Sequence, residues 1–157
     1  MKREILFRGF YPDENGPEEI TLNGQKIKGL WVEGWYCGKT CDTPFSKARE
    51  SAQILDSELL WYEVIPETVG QYTGLTDKNV TKIFDGDIVR YNTSTTRADN
   101  NDIHEVVFET RGGSGYFGIV ISHIETWQFC MSVPAKLMEV IGNIFSNPEL
   151  IEVEVQE

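Results

Sequence analysis

The chain has 157 residues, 40% of them hydrophobic and 11% aromatic, with a formal net charge of −11. This length and composition exclude a disordered chain and allow a core that needs no metal or disulfide to fold. Residues 1–70 carry −4 and residues 71–157 carry −7, so neither half has the basic footprint of a nucleic-acid binder, and no apolar run approaches the ~18 residues of a membrane span.

The N-terminal run "REILFRGF" reads as a strand, with Ile5 and Phe7 on one face and Leu6 on the other. The Pro-, Gly- and acid-rich "YPDENGPEE" follows as a loop. Asn23-Gly24 then sits between two β-prone runs, which predicts a hairpin. The second of these runs is long and carries Trp31, Trp35 and Tyr36. "TPFSKARESA" is the best helix candidate of the first half, with Thr43 as N-cap and Pro44 at the first helical position. "ELLWYEVIPETVGQY" returns to strand character, and Pro66 predicts a strand end or edge.

In the second half "GDIVRY" is a predicted strand, "NTSTTRADNND" a polar loop, and "IHEVVFE" a strand. "TRGGSG" is a turn, and "YFGIVISHI" and "TWQFCMSV" are further strands. "AKLMEVIGNIF" carries both periodicities; its β-branched residues and Gly142 favour a strand. "SNPELI" predicts one helical turn, with Asn147 capping and Pro148 first inside. Several short strands with tight turns imply a small, strongly bent barrel, preceded by a less regular β region.

The most distinctive stretch is "VGQYTGLTDKNVTKIFDGDIVRY". Gly74, Asp77, Asn79, Asp85, Gly86 and Asp87 suit turns or strand starts. Their expected duty is structural: they set the direction and register of the strand at Ile88. Together with its upstream "VIPET", this stretch resembles the central signature of the YopX family, small proteins encoded by phages and prophages. "LMEVIGNIFSNPELIE" resembles that family's C-terminal signature, and "REILFRGF" and "LWVEGWY" its opening segments. Val80 departs from the family pattern, which has Gly after Asn there, and puts an Asn-Gly primed turn in doubt. The resemblance implies an α+β, mainly β protein: one unit over residues 1–157. It has an SH3-like barrel over about 71–157 and a β subdomain with a short helix over about 1–70. It also implies a bacterial cytoplasm, and it supplies no catalytic residue.

The chemical motifs are incomplete. "GSGYFG" matches G-x-G-x-x-G but runs into β-branched residues rather than a helix. "GWYCGKT" lacks the spacing of a phosphate loop. Cys37, Cys41, Cys130 and His123 supply zinc-type donors without a second close pair. His104 is the other histidine, and neither has a visible nucleophile elbow. Asp85 and Asp87 fall well short of a cation loop. No catalytic group, metal or cofactor is therefore expected.

Trp31, Trp35, Tyr36, Trp61 and Tyr62 form the aromatic concentration, which serves either core or interface. The expected function is that of a non-enzymatic phage accessory protein that binds a protein partner or self-assembles into a homo-oligomer. The alternatives are a nucleic-acid-binding barrel, an acidic decoy of a host nucleic-acid-binding protein, and a metal-assisted enzyme. The −7 of the second half counts against nucleic acid.

Overall fold

The computed structural model describes residues 4–40, 50–91, 103–111, 113–120 and 135–151. The fold is mainly β and antiparallel, and the chain divides into two compact units, Met1–Tyr72 and Thr73–Glu157.

The first unit holds β1 (Phe7–Pro12), β2 (Glu18–Leu22), β3 (Gln25–Thr40), β4 (Glu50–Leu55) and β5 (Trp61–Val64). Its spine is β3, which pairs successively with β2, β1 and β4 along its 16 residues. The β2–β3 turn is built as the sequence predicts: Asn23 and Gly24 both have positive φ, 51° and 76°, the requirement of a primed two-residue turn. The core follows from period-two alternation: Val32, Ala52, Ile54 and Val64 are buried on one face. Phe7, Tyr11, Leu30, Tyr62 and Val69 pack around them.

After β5, Pro66 opens a 3-10 turn (Pro66–Thr68), so the strand ends where the missing donor predicted. Thr68 is buried, and its hydroxyl accepts from the Phe10 amide at 2.9 Å and donates to the Ile65 carbonyl at 2.7 Å. The Ile65 amide in turn donates to the Phe10 carbonyl. Thr68→Val keeps the shape but strands the buried Phe10 amide. The expected loss is about 2 kcal/mol, read as a lower urea midpoint at unchanged slope.

The second unit holds the end of β6 (Gly70–Thr76), then β7 (Lys82–Phe84), β8 (Asp87–Tyr91), β9 (Ile103–Arg111), β10 (Ser114–Ile119) and β11 (Met138–Asn143). Four of these form a sheet in the order β10-β9-β8-β11. Ile83, Val89, Val106, Ile119, Ala135 and Met138 are buried together, with Leu75, Tyr91 and Val140 against them. Residues 138–143 are a strand, as their β-branched content predicts, with a register shift between Val140 and Gly142. Pro148–Leu150 is a 3-10 turn; Asn147 occupies its cap position without a side-chain capping bond.

Two expectations are corrected or narrowed. Residues 50–52, the end of the predicted helix, lie in β4, and the described residues contain 3-10 turns but no α-helix. Ala52 and Ile54 alternate into the core and pair with β3 and β5, and this tertiary pairing overrides the local Thr-Pro start signal. Residues 43–49 of that candidate helix lie outside the described residues. The sheet of the second unit runs from β10 to β11 without closing among the described residues, and the strand predicted at 126–133 and the loop at 92–102 lie outside them. No helix among the described residues is long and apolar enough to cross a membrane.

Candidate functional site

The turn residues of the signature are taken up by the backbone, which leaves other side chains for recognition. Asp77 is buried, and its carboxylate accepts three backbone amides: Asn79 at 2.8 Å and Thr81 at 2.9 Å on Oδ1, and Val140 at 2.9 Å on Oδ2. Burial alone pushes this carboxyl up, but the amides of Val140, Thr81 and Asn79 outweigh it and hold the group below the usual Asp range. The Lys78 amide donates to the Met138 carbonyl, so the corner is stitched to β11 at two points. Beside it Lys78 meets Glu139 at 2.8 Å, which draws the Glu139 carboxyl down.

The first unit repeats this corner in "DSELL". The Asp56 carboxylate accepts the amides of Glu58 and Leu60, and the Asp56 amide donates to the Leu60 carbonyl. The fourth residue of each corner has positive φ: Leu59 at 65° and Val80 at 66°. Val80 thus sits in a left-handed position that glycine adopts at lower cost. A branched residue there is strained by about 1–2 kcal/mol. Val80→Gly should therefore raise unfolding free energy by about 1 kcal/mol, after the entropy glycine adds to the unfolded chain. A thermal melt shifted downward would contradict this.

The other signature residues are also bound into backbone. Gly74 and Gly86 have φ of 86° and 83°. Asp85 accepts the Phe108 amide at 3.0 Å, and the fully buried Asp87 accepts the Phe84 amide at 2.8 Å. Gly86 donates to the Val106 carbonyl and accepts from the Ile144 amide. These corners bind the chain to β9 and to the segment after β11.

The motif residues sit in strands. "GSGYFG" lies in the β9–β10 turn and β10, and "GWYCGKT" lies in β3. Cys37 is half-buried, while Cys41, Cys130 and His123 lie outside the described residues. His104 is buried, with Nδ1 3.0 Å from the Val120 carbonyl oxygen. Burial, and then the nearby Asp85, push the Glu105 carboxyl up. No group of three or more His, Cys, Asp or Glu residues among those described is arranged to hold a metal.

The five aromatics are sorted by strand pairing. Trp31 lies edge-on to Phe10, with rings 5.3 Å apart, and Arg8 sits 4.7 Å above it. Tyr62 lies edge-on to Tyr11, and burial, then the nearby Asp56, raise its hydroxyl pKa. Tyr36 leans on Phe7 at 5.2 Å. Trp35 and Trp61 are 52% and 56% exposed. The register places Trp35 opposite Leu55 and Leu55 opposite Trp61, one cross-strand row over three strands. Alternation puts this row on the face opposite Ile54 and Ala52. The hairpin joining β4 to β5 exposes Leu59 at its turn and Leu60 beside Asp56, 72% and 50%, and alternation puts Leu60 on the face opposite Trp61. The sequence reading missed Leu55, Leu59 and Leu60; the available signal was the pairing of "DSELL" with its flanking β runs.

No curated protein matches the chain. It is similar to the crystal structure of protein EF1440 from Enterococcus faecalis: 23% identity, 96% of this chain and 100% of that one covered, TM-score 0.41. The family described as YopX protein matches residues 6–152. That match spans nearly the whole sequence, and the chain belongs to the YopX family.

Proposed function

We propose that this chain is a phage-associated accessory protein of the bacterial cytoplasm that acts by binding a protein partner, without catalysis of its own. The observation that carries the reading is the Trp35–Leu55–Trp61 row. Large aromatic side chains left in water on a rigid sheet are the residues that dominate protein interfaces when covered. An SH3-like second unit fits the reading: Leu75 and Ile83, from the β6–β7 pair, pack onto the same core as β8, β9 and β11. The aspartates and glycines of the signature are committed to corners within the second unit.

The test compares the tagged chain with its Trp35→Ser/Trp61→Ser variant in the bacterial host. Both side chains are half-exposed, so the variant should unfold within a few degrees of the parent. The expected result is a stoichiometric protein partner held by the parent and lost by the variant. Identical partners on both proteins, or a substrate turned over by both, would overturn the reading.

A further inference from the structure

Resting on that reading, we infer that the Trp35–Leu55–Trp61 face takes a basic protein segment, one whose Lys or Arg residues flank apolar anchors, and not a second copy of this chain. Residues 50–64, which supply two of the three strands and the hairpin, contain Glu50, Asp56, Glu58 and Glu63 and no basic residue. Glu58 and Glu63 are exposed, and Glu63 follows Trp61 by two positions, on the same strand face. On β3, Lys26 and Lys28 stand near the strand's start and Lys39 near its end, exposed Glu33 precedes Trp35 by two positions on the same face, and Arg8 sits over Trp31. The surface is thus an aromatic platform with an acidic rim.

Each feature selects the same partner. The exposed rings of Trp35 and Trp61 can take guanidinium and ammonium groups through the ring quadrupole. The rim carboxylates strengthen that attraction and steer a cationic segment towards the face. Leu55, between the two rings, supplies apolar contact for an anchor between the charges. A second copy fits poorly. A two-fold contact brings the surface against a copy of itself, so the acidic rim of one copy would meet an equally acidic surface in a chain already at −11.

The experiment pans a displayed library of random 12-residue peptides on the full chain, with prior depletion on the Trp35→Ser/Trp61→Ser variant. The expected result is enrichment of peptides with net positive charge and at least one aromatic or leucine residue. Their affinity should fall about tenfold from low to high salt. It should fall at least as much in Glu58→Lys/Glu63→Lys, which leaves both tryptophans in place. Enriched peptides that are neutral or acidic, yet still need Trp35 and Trp61, would overturn the basic partner and leave the docking surface standing. No tryptophan-dependent enrichment would overturn both. Sedimentation showing a dimer of the free chain that the tryptophan variant loses would assign the surface to a second copy and overturn the inference.

Discussion

Asp77→Ala should cost about 3–4 kcal/mol of unfolding free energy, from three charge-assisted hydrogen bonds lost at a buried position. The deletion leaves the amides of Asn79, Thr81 and Val140 without their acceptor and detaches the corner from β11 at one of its two ties. Val140 borders the buried cluster around Met138, so the damage reaches the core of the second unit. The same carboxylate gives a pH signature. Its folded-state pKa lies below its ordinary value, so its contribution is fully present above the unfolded-state pKa of about 3.9 and disappears as pH falls through the folded value. The penalty of Asp77→Ala should therefore be largest at neutral pH and should shrink in acid below about pH 4. Urea titrations at pH 7 and pH 3 measure it; equal penalties at both would refute the assigned role.

Gly34→Ala should cost about 2–3 kcal/mol and should also distort the aromatic face. A Cβ on Gly34 would lie 2.0 Å from the Leu55 carbonyl oxygen and 3.0 Å from the Ile54 Cγ2. The first neighbour is backbone, so β3 and β4 must separate. Leu55 pairs with Trp35, the residue after Gly34, and with Trp61 on the other side. Steric relief therefore moves the middle of the exposed row. The expected outcome is a lower melting temperature together with weakened partner binding. By contrast, Trp35→Ser/Trp61→Ser should lose binding with the melting temperature nearly kept. A Gly34→Ala protein as stable as its parent would show that the strands are not this close.

The contrast between Asn23-Gly24 and Asp56–Leu60 shows what the sequence reveals. The first turn is legible because two adjacent residues with low-cost positive φ sit between β runs. The second has no glycine: its left-handed position is filled by Leu59 and its geometry is held by one aspartate, so the local signal is silent. "DKNVT" was readable as a turn because Asp77 and Asn79 are turn formers, yet its attachment to Val140, 63 positions later, is a tertiary fact. The end of the predicted helix, residues 50–52, differs for the same cause: Ala52 takes its conformation from β3 and β5.

The aromatic concentration was visible as composition but not as a surface. Trp31, Tyr36 and Tyr62 are engaged because β1 brings Phe10, Phe7 and Tyr11 against them. Trp35 and Trp61 lie beyond that cover. The β1–β3 register, with Phe7 opposite Gly34 as its last pair, ends one residue before Trp35. Trp31 and Trp35 share one face of β3, so what separates them is where the pairing with β1 stops; Tyr36, on the other face and near that end, is still 43% exposed.

The central claim is that the outer face of β3, β4 and β5 is open in the free chain and covered in the complex. Hydroxyl-radical footprinting of the tryptophans, with and without the captured partner, measures this directly. The account predicts faster oxidation of Trp35 and Trp61 than of Trp31 in the free chain, and selective protection of the first two on binding. Equal rates for all three, or protection confined to residues of the second unit, would contradict it.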